Sequence, residues 1–458
     1  LPVLEANHHE AVRVTHARVL RLALPFTLAN LSTPLLGFAD AAVIGRLGQA
    51  HLLGAIAAAA VIFDFIFWGF SFLRMGTVGL TAQALGRGDV IEQKATLLRA
   101  FASAGVLGGA LILLQAPIAA LGFAALGASA PVTDAAHAYF NIRIWSAPFV
   151  FANYVMLGTV AGRARTDLAL ALQIVINLVN IGLNICFVYG LGLGVRGSAL
   201  GTLIAEATGT LIGLLILHRL EGQLFGLSFR LVFDKAKLMR LFGVNRDIMI
   251  RTGALMFSFG FFTSQGAKGG DVTLAANAIL MNLFITSAYF LDGFAIAAQQ
   301  MCGQSVGARD AIGFRAAVRL ILIWSLAFSG AVALAAFLVG PHFIDFISTN
   351  DAVRAAARHY LGFAALTPLC GAAAFAFDGV FIGATWTQAM RNIMLCAVAL
   401  YIGVFYLLRP FGNAGLWSAL LLFLLARGLG QAVLYRRSAA KTFPAAQSAA
   451  AAPVASAS

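Results

Sequence analysis

Charge is what this sequence has least of. Only 11% of its 458 residues are charged, Asp and Glu together number 18, and no charged side chain occurs between Arg99 and Asp134. A soluble domain carries charge on about 25% of its residues, so a soluble globular chain is excluded. Cysteine is also scarce: Cys186, Cys302, Cys370 and Cys396 fall inside expected helices with no paired metal-ligand spacing, and they read as packing residues. No metal site and no bound cofactor are expected. The eight histidines fall mostly at loops or segment ends, and no phosphate-cradling Gly-rich loop precedes a Lys. Enzyme chemistry and ATP hydrolysis therefore have no support.

What fills the space is apolar. Hydrophobic residues make up 60% of the chain, and mean hydropathy is +0.88. The charge-free run after Arg99 exceeds the ~20 residues that a spanning helix needs. Lipid supplies no backbone partners, so spans are helices or a closed barrel, and long apolar runs without strict alternation favour helices. Cutting at charged and turn-rich breaks predicts twelve spans near 20–44, 52–85, 99–124, 133–162, 167–190, 197–218, 244–266, 273–305, 312–339, 352–384, 389–408 and 414–435. Pro25, Pro34, Pro148 and Pro368 lie inside them, where kinks are expected.

The net charge of +13 gives topology and not a nucleic-acid partner. Lys and Arg crowd the N-terminus, alternate loops, the tail and the stretch from Arg219 to Arg251. Both termini and the long middle loop are thus expected on the cytoplasmic side of a cell inner (plasma) membrane. The segmentation is an N-terminal arm at 1–18, a first lobe at 19–220, a basic linker at 221–243, a second lobe at 244–436 and a disordered tail at 437–458.

The two halves repeat. A shift of 221 residues places Gly45 on Gly266, Gly48 on Gly269, Leu53 on Leu274, Gln83 on Gln304, Gly86 on Gly307 and Asp89 on Asp310. Each half supplies six helices, an even number, so the copies enter the bilayer in the same orientation. The fold class is an all-α membrane protein of twelve transmembrane helices in two parallel-repeat six-helix lobes, and such repeats enclose a central cleft. The same shift maps Asp40 onto Phe261, so an acid in the first helix belongs to the first half only.

A carboxylate at the depth of Asp40 costs roughly 2.5 to 3.5 kcal/mol on insertion scales, and a chain that keeps one uses it to hold a proton or an ion. On the first helix Asn30, Thr33, Gly37 and Asp40 are spaced 3, 4 and 3, along one face; on the fifth, Gln173, Asn177, Asn180 and Asn184 are spaced 4, 3 and 4. Helix-to-helix hydrogen bonding explains such stripes. The reading preferred here is that they face one another across a wet cavity, with Asn153 and Thr202 nearby. Desolvation disfavours charged Asp40 while a cationic cargo or water favours it, so proton and cargo compete for one group. Asp64, Glu206, Asp292 and Asp378 are secondary intramembrane acids, weighed between ion pairing and transport, with Arg74 and Arg143 as available neutralisers. Asp292 and Asp378 each precede a Gly, where a helix break is expected. The Phe-rich stretch Phe257, Phe259, Phe261 and Phe262 offers a wall for flat organic cations.

Three segments resemble a known family: Phe38 to Gly48 around Asp40, the run Leu73-Arg74-Met75-Gly76 continuing to Gln83, and Leu291-Asp292-Gly293-Phe294-Ala295 through Gly303-Gln304 to Asp310. They resemble multidrug and toxic compound extrusion (MATE) transporters, in particular the DinF-like branch. The resemblance implies two six-helix lobes that export cationic or amphipathic compounds in exchange for protons or sodium. It assigns Asp40 as coupling acid, and Asn180, Thr202 and Asn153 to the first-lobe cavity. Two departures stand out: Asn184 occupies a position that is commonly Asp in the family, and Gln299 one that related chains often fill with Glu. No acid lies between Thr252 and Gln265, where sodium-coupled relatives often have one. Protons are therefore preferred over sodium. The expected partners are the bilayer and a small amphipathic or cationic substrate, with the chain a monomer. A lipid-linked substrate flippase of the same superfamily is the alternative; it wants a basic cavity, and the intramembrane polar groups here are mostly acids and amides. A non-transporting scaffold or receptor is a third reading.

Overall fold

The computed structural model describes residues 14–127, 129–222 and 227–444. These residues form sixteen α-helices, and the expected spans fall on them in order. The first span is α1 (His16–Gly45); the second is divided between α2 (Ala50–Gly69) and α3 (Phe72–Gly86), and the third between α4 (Val90–Leu113) and α5 (Gln115–Leu126). The fourth joins α6 (Ala130–Arg143) to α7 (Ala147–Gly162), with α8 (Thr166–Ile185) and α9 (Gly194–Glu221) after it. The short α10 (Phe229–Val232) precedes α11 (Lys235–Ala267), α12 (Asp271–Gly307), α13 (Ala311–Ile347), α14 (Asp351–Gly383), α15 (Thr387–Leu408) and α16 (Gly412–Thr442). Nine stretches among the described residues are long and apolar enough to cross a bilayer.

Several expectations need correction. Residues 437–442 continue α16 as helix, and of the expected tail 445–458 lie outside the described residues. Within the stretch read as a basic linker, α10 and the start of α11 from Lys235 are helical, a point the sequence reading left open. No helix breaks at Asp292 or Asp378: α12 and α14 pass through both positions. A glycine beside an acid weakens a helix by only ~1 kcal/mol, too little to open one whose backbone has no other partners in lipid.

The described residues divide into two compact units, one made of 14–27, 82–89 and 250–444, the other of 28–81 and 90–249 less those not described. These borders differ from the lobe borders expected at 220 and 244, because the helices α1, α3 and α11 each contribute to both units.

The larger unit is built on α12, α13, α14 and α16 packed together, with α15 against α16. Lipid tails are as apolar as a protein core, so contact geometry rather than the hydrophobic effect holds these helices. Trp417 is fully buried; Phe262 meets it edge-on at 4.8 Å, and its Nε1 donates to Asn277 Oδ1 at 2.9 Å. Phe259 packs on Phe284 and Phe261 on Tyr401 and Phe405. Three of the four phenylalanines expected to form a cargo wall are thus engaged in the core, and Phe257 is exposed.

In the other unit α9 packs against α6, α7 and α8. Small residues recur on α9 at every fourth position, Gly197, Gly201, Ala205, Gly209 and Gly213, the spacing that lets membrane helices approach closely. A Cβ on Gly201 would stand 3.0 Å from Asn184 Oδ1, and one on Gly209 3.2 Å from Asn153 Nδ2. The glycines therefore admit the amides of α7 and α8 to the surface of α9.

Candidate functional site

Asp40 is 8% exposed on α1. Asn184 Nδ2 donates to Asp40 Oδ1 and also to Asn180 Oδ1 at 2.8 Å. Asn180 Nδ2 in turn donates to Thr202 Oγ1 at 2.9 Å, whose hydroxyl donates to the Ser198 carbonyl at 3.1 Å. All four partners are buried, as the desolvation of amides requires once each has a hydrogen-bonding neighbour. One turn towards the other end of α8, Asn177 Nδ2 donates to Ser32 Oγ at 2.8 Å and Gln173 Nε2 to Asn177 Oδ1 at 3.0 Å. Tyr189, in the π-helical turn Cys186–Gly190 that ends α8, donates to the Val43 carbonyl at 2.7 Å.

The stripes of α1 and α8 meet at Asp40–Asn184, and Asn177 reaches Ser32 beside the α1 stripe, so at these two points the helices are in direct contact rather than across a wet cavity. A polar group in hydrocarbon takes the nearest partner, and here that partner is the other stripe. Asn30 is buried too, yet its Nδ2 has no hydrogen-bond partner among the described residues. The side chain of Thr33 lies outside what the structure describes.

A second polar group sits between α7 and α9. Asn153 Nδ2 donates to Glu206 Oε2 at 2.7 Å and to the Glu206 carbonyl at 3.0 Å, while Asn153 Oδ1 accepts from Thr210 at 3.1 Å. Between the two groups stands Arg143, at the end of α6. Its guanidinium lies over the rings of Phe63 at 5.1 Å, Tyr139 at 5.8 Å and Phe67 at 6.0 Å, and Nη1 donates to the Tyr139 hydroxyl at 3.1 Å. Its charge acts on Asp40, Asp64 and Glu206 together, but none of the three forms an ion pair among the described residues. Asp64 is exposed on the surface of its unit. Arg143 carried only a neutralising role in the sequence; the Tyr139–Arg143 spacing of four on one helix face was the available signal for its cage.

Asp378 belongs elsewhere. It is buried in the larger unit, where Arg251 Nη2 and Arg427 Nη2 both donate to its Oδ2, the latter at 2.7 Å, and Gln431 donates to Oδ1 at 2.5 Å. Such a carboxylate is pinned in its charged form, which is a structural arrangement. Asp292 is half-buried on α12, and Gln299 is buried with its Oε1 unpartnered. An apolar groove lined by Trp145, Phe149, Leu203, Ile204 and Leu211 runs along α9 and includes none of the acids or amides above. Two of the free cysteines, Cys186 and Cys396, are exposed rather than packed.

Comparison with known proteins adds three findings. The MatE family model matches residues 25–186 and 249–407. The chain is 39% identical over 422 residues to the DNA damage-inducible protein F of Escherichia coli (strain K12), covering 91% of each, and 28% identical over 305 residues to a probable multidrug resistance protein NorM of Caulobacter vibrioides, covering 64% of each. Among solved structures, the outward-facing conformation of a multidrug resistance MATE family transporter of the MOP superfamily superposes with a TM-score of 0.85 at 17% identity, over 93% of this chain and 96% of that one.

Proposed function

This chain belongs to the MatE family, and we propose that it is a secondary antiporter that exports lipophilic or cationic compounds in exchange for protons, with Asp40 as the coupling acid. The proposal includes the coupling ion, the cargo class, an inner-membrane location with both termini cytoplasmic and a monomeric state; apolar helices long enough to span a bilayer and transporter relatives support it.

One observation carries it: a buried carboxylate whose hydrogen-bond partner is an amide rather than a guanidinium. An ion-paired acid such as Asp378 is held charged through the cycle. Asp40 has a neutral donor, so taking up a proton loses one charge-assisted hydrogen bond, worth about 1.5–3 kcal/mol, and no ion pair. Both states are accessible, which exchange requires. For one proton exchanged per monovalent cation no net charge moves, and each pH unit across the membrane supplies about 1.4 kcal/mol, or roughly tenfold accumulation. Asn184 holds the carboxylate and is itself held by Asn180, which donates to Thr202.

The test is transport in proteoliposomes with pH and sodium gradients imposed separately. The pH gradient should drive dye export and the sodium gradient should not. Asp40→Asn should abolish export while leaving insertion intact; undiminished export by that variant contradicts the reading.

A further inference from the structure

At one end of the larger unit the start of α13 and the finish of α16 are locked together. Phe314 stacks on Tyr435 at 6.2 Å and meets Phe443 at 5.2 Å, and Trp386 Nε1 donates to Thr442 Oγ1 at 3.1 Å. The result is a basic rim: Arg309, Arg315 and Arg319 from α13 and the turn before it, Arg436, Arg437 and Lys441 from α16. All six are exposed, and none is in an ion pair among the described residues. Asp310 stands among them, but its carboxylate caps α13 by accepting from Gly313 N at 2.8 Å. Asp89, at the end of α3, is offset by Arg87 two residues away. With both carboxylates counted, the cations remain in excess and repel one another. Arg309 holds φ at 57°, where its repeat counterpart is Gly88 at 67°. Glycine takes that conformation without strain, so the second half closes the same turn at a cost and places a cation there.

We propose that this rim docks an anionic phospholipid, with the head-group phosphate on Arg315 and Arg319 and an acyl chain along the exposed face of α13. No charged side chain lies between Arg319 and Asp345, a helical length of about 39 Å at 1.5 Å per residue. The hydrocarbon core is about 30 Å thick, so Arg319 stands at head-group level when the helix spans it. Arg315, Arg319, Ile323, Leu326, Gly330 and Leu334 are spaced 4, 4, 3, 4 and 4 along one face, and the three apolar side chains on it are exposed. The arginines are therefore continuous with lipid-facing surface, which selects a lipid over a soluble anion. Residues four apart on a helix are neighbours, and two guanidinium forks suit one phosphate. Arg315 Nε donates to the Ala311 carbonyl at 3.2 Å, leaving its Nη groups for that phosphate. A zwitterionic head group brings its own ammonium into the rim and is disfavoured; an anionic one does not.

The test uses the full chain in detergent, which has no sidedness, so charge cannot act through orientation. Thermal unfolding is followed while phosphatidylglycerol, phosphatidylcholine or inorganic phosphate is titrated in. Phosphatidylglycerol should raise the melting temperature saturably, and the other two should not. Arg315→Gln/Arg319→Gln should melt with the wild type when no lipid is added, since both side chains are exposed. It should need roughly thirtyfold more phosphatidylglycerol for half the shift, at about fivefold per cation, and Arg315→Lys/Arg319→Lys should recover part of the loss. Arg230→Gln/Lys235→Gln, which neutralises two exposed cations of the other unit, should titrate as the wild type does. The proposal is overturned if phosphatidylglycerol leaves the wild type unshifted or if phosphatidylcholine stabilises it equally. Equal stabilisation by inorganic phosphate overturns it in favour of a soluble anion. It also fails if Arg315→Gln/Arg319→Gln titrates as the wild type, or if Arg230→Gln/Lys235→Gln loses as much as that variant.

Discussion

Gln83 and Gly86 at the end of α3, and their repeat equivalents Gln304 and Gly307 at the end of α12, meet in reciprocal contact inside the larger unit. A Cβ built on Gly307 stands 2.9 Å from the carbonyl carbon of Gln83 and 3.0 Å from its Cα, and closer still to its oxygen. One built on Gly86 stands 2.9 Å from the carbonyl carbon of Gln304 and 2.9 Å from the nitrogen of Ala308, again closer to the carbonyl oxygen. Carbon atoms prefer about 3.5–4.0 Å, and the obstructing atoms are backbone, so either Gly→Ala change forces the helices apart by roughly 0.6 Å or more. That separation strains Gln83 Nε2 on the Gly383 carbonyl at 2.8 Å and Arg18 Nη2 on Gln304 Oε1 at 2.7 Å. Overpacking of this kind costs about 1–3 kcal/mol. Alanine also gains about 0.5–1 kcal/mol over glycine in a helix, which Gly330→Ala on α13 and Gly362→Ala on α14 measure alone, since nothing lies within 4 Å of a Cβ at either position. Thermal unfolding of the purified protein in detergent should rank Gly86→Ala and Gly307→Ala below the wild type and the two controls at or above it. The double variant should be destabilised by less than the sum, because the first substitution already opens the crossing that the second needs. Melting of Gly86→Ala and Gly307→Ala level with the controls refutes the close approach, and strict additivity refutes the shared crossing.

Two further outcomes concern the same unit. Asp378→Asn leaves Arg251 and Arg427 buried without their carboxylate and should lower stability by about 3–5 kcal/mol; pH-driven exchange should persist in the inserted protein, and an unchanged melting temperature contradicts the ion cluster. Asn277→Ala removes the acceptor of Trp417 Nε1 and both bonds to Asn413, at 2.8 and 2.9 Å. The buried indole N–H left unpaired should cost about 1–3 kcal/mol in the same melting assay, whereas Asn277→Asp, which keeps an acceptor, should recover part of it.

The spans were legible because lipid demands long apolar helices, and each expected span falls on helix. The repeat was legible as well: the shift that matched Gln83 with Gln304 and Gly86 with Gly307 picked out the residues that touch, though a register match says nothing of contact. Helical spacing gave the polar faces of α1 and α8 and could not give their partners, since Asn184 and Asp40 are 144 residues apart. For that reason direct contact and a wet cavity stayed open in the sequence. The pairing of Asp378 with Arg251 and Arg427, across 127 and 49 residues, was illegible for the same reason. A carboxylate beside a glycine looked like a helix break because local propensity was the only information, and in lipid the backbone's need for partners overrides propensity.

The two repeats hold the same kinds of buried group and arrange them to opposite effect. In one unit two guanidiniums reach Asp378 directly, so its charge is satisfied and releasing it means breaking both pairs. In the other the guanidinium of Arg143 is turned onto Phe63, Phe67 and Tyr139. There it lowers the field that three acids feel without claiming any one of them. A cation–π cage is worth about 0.5–2 kcal/mol, less than a buried ion pair whose breaking costs about 3–5 kcal/mol, so the cage must be sterically enforced to keep the arginine off the carboxylates. Phe63 of the cage is itself stacked on Phe140 at 5.0 Å, between α2 and α6. An arginine held at a distance leaves its acids without the ion pairs that Asp378 has, and on the function proposed above that difference assigns exchange to the unit carrying Asp40.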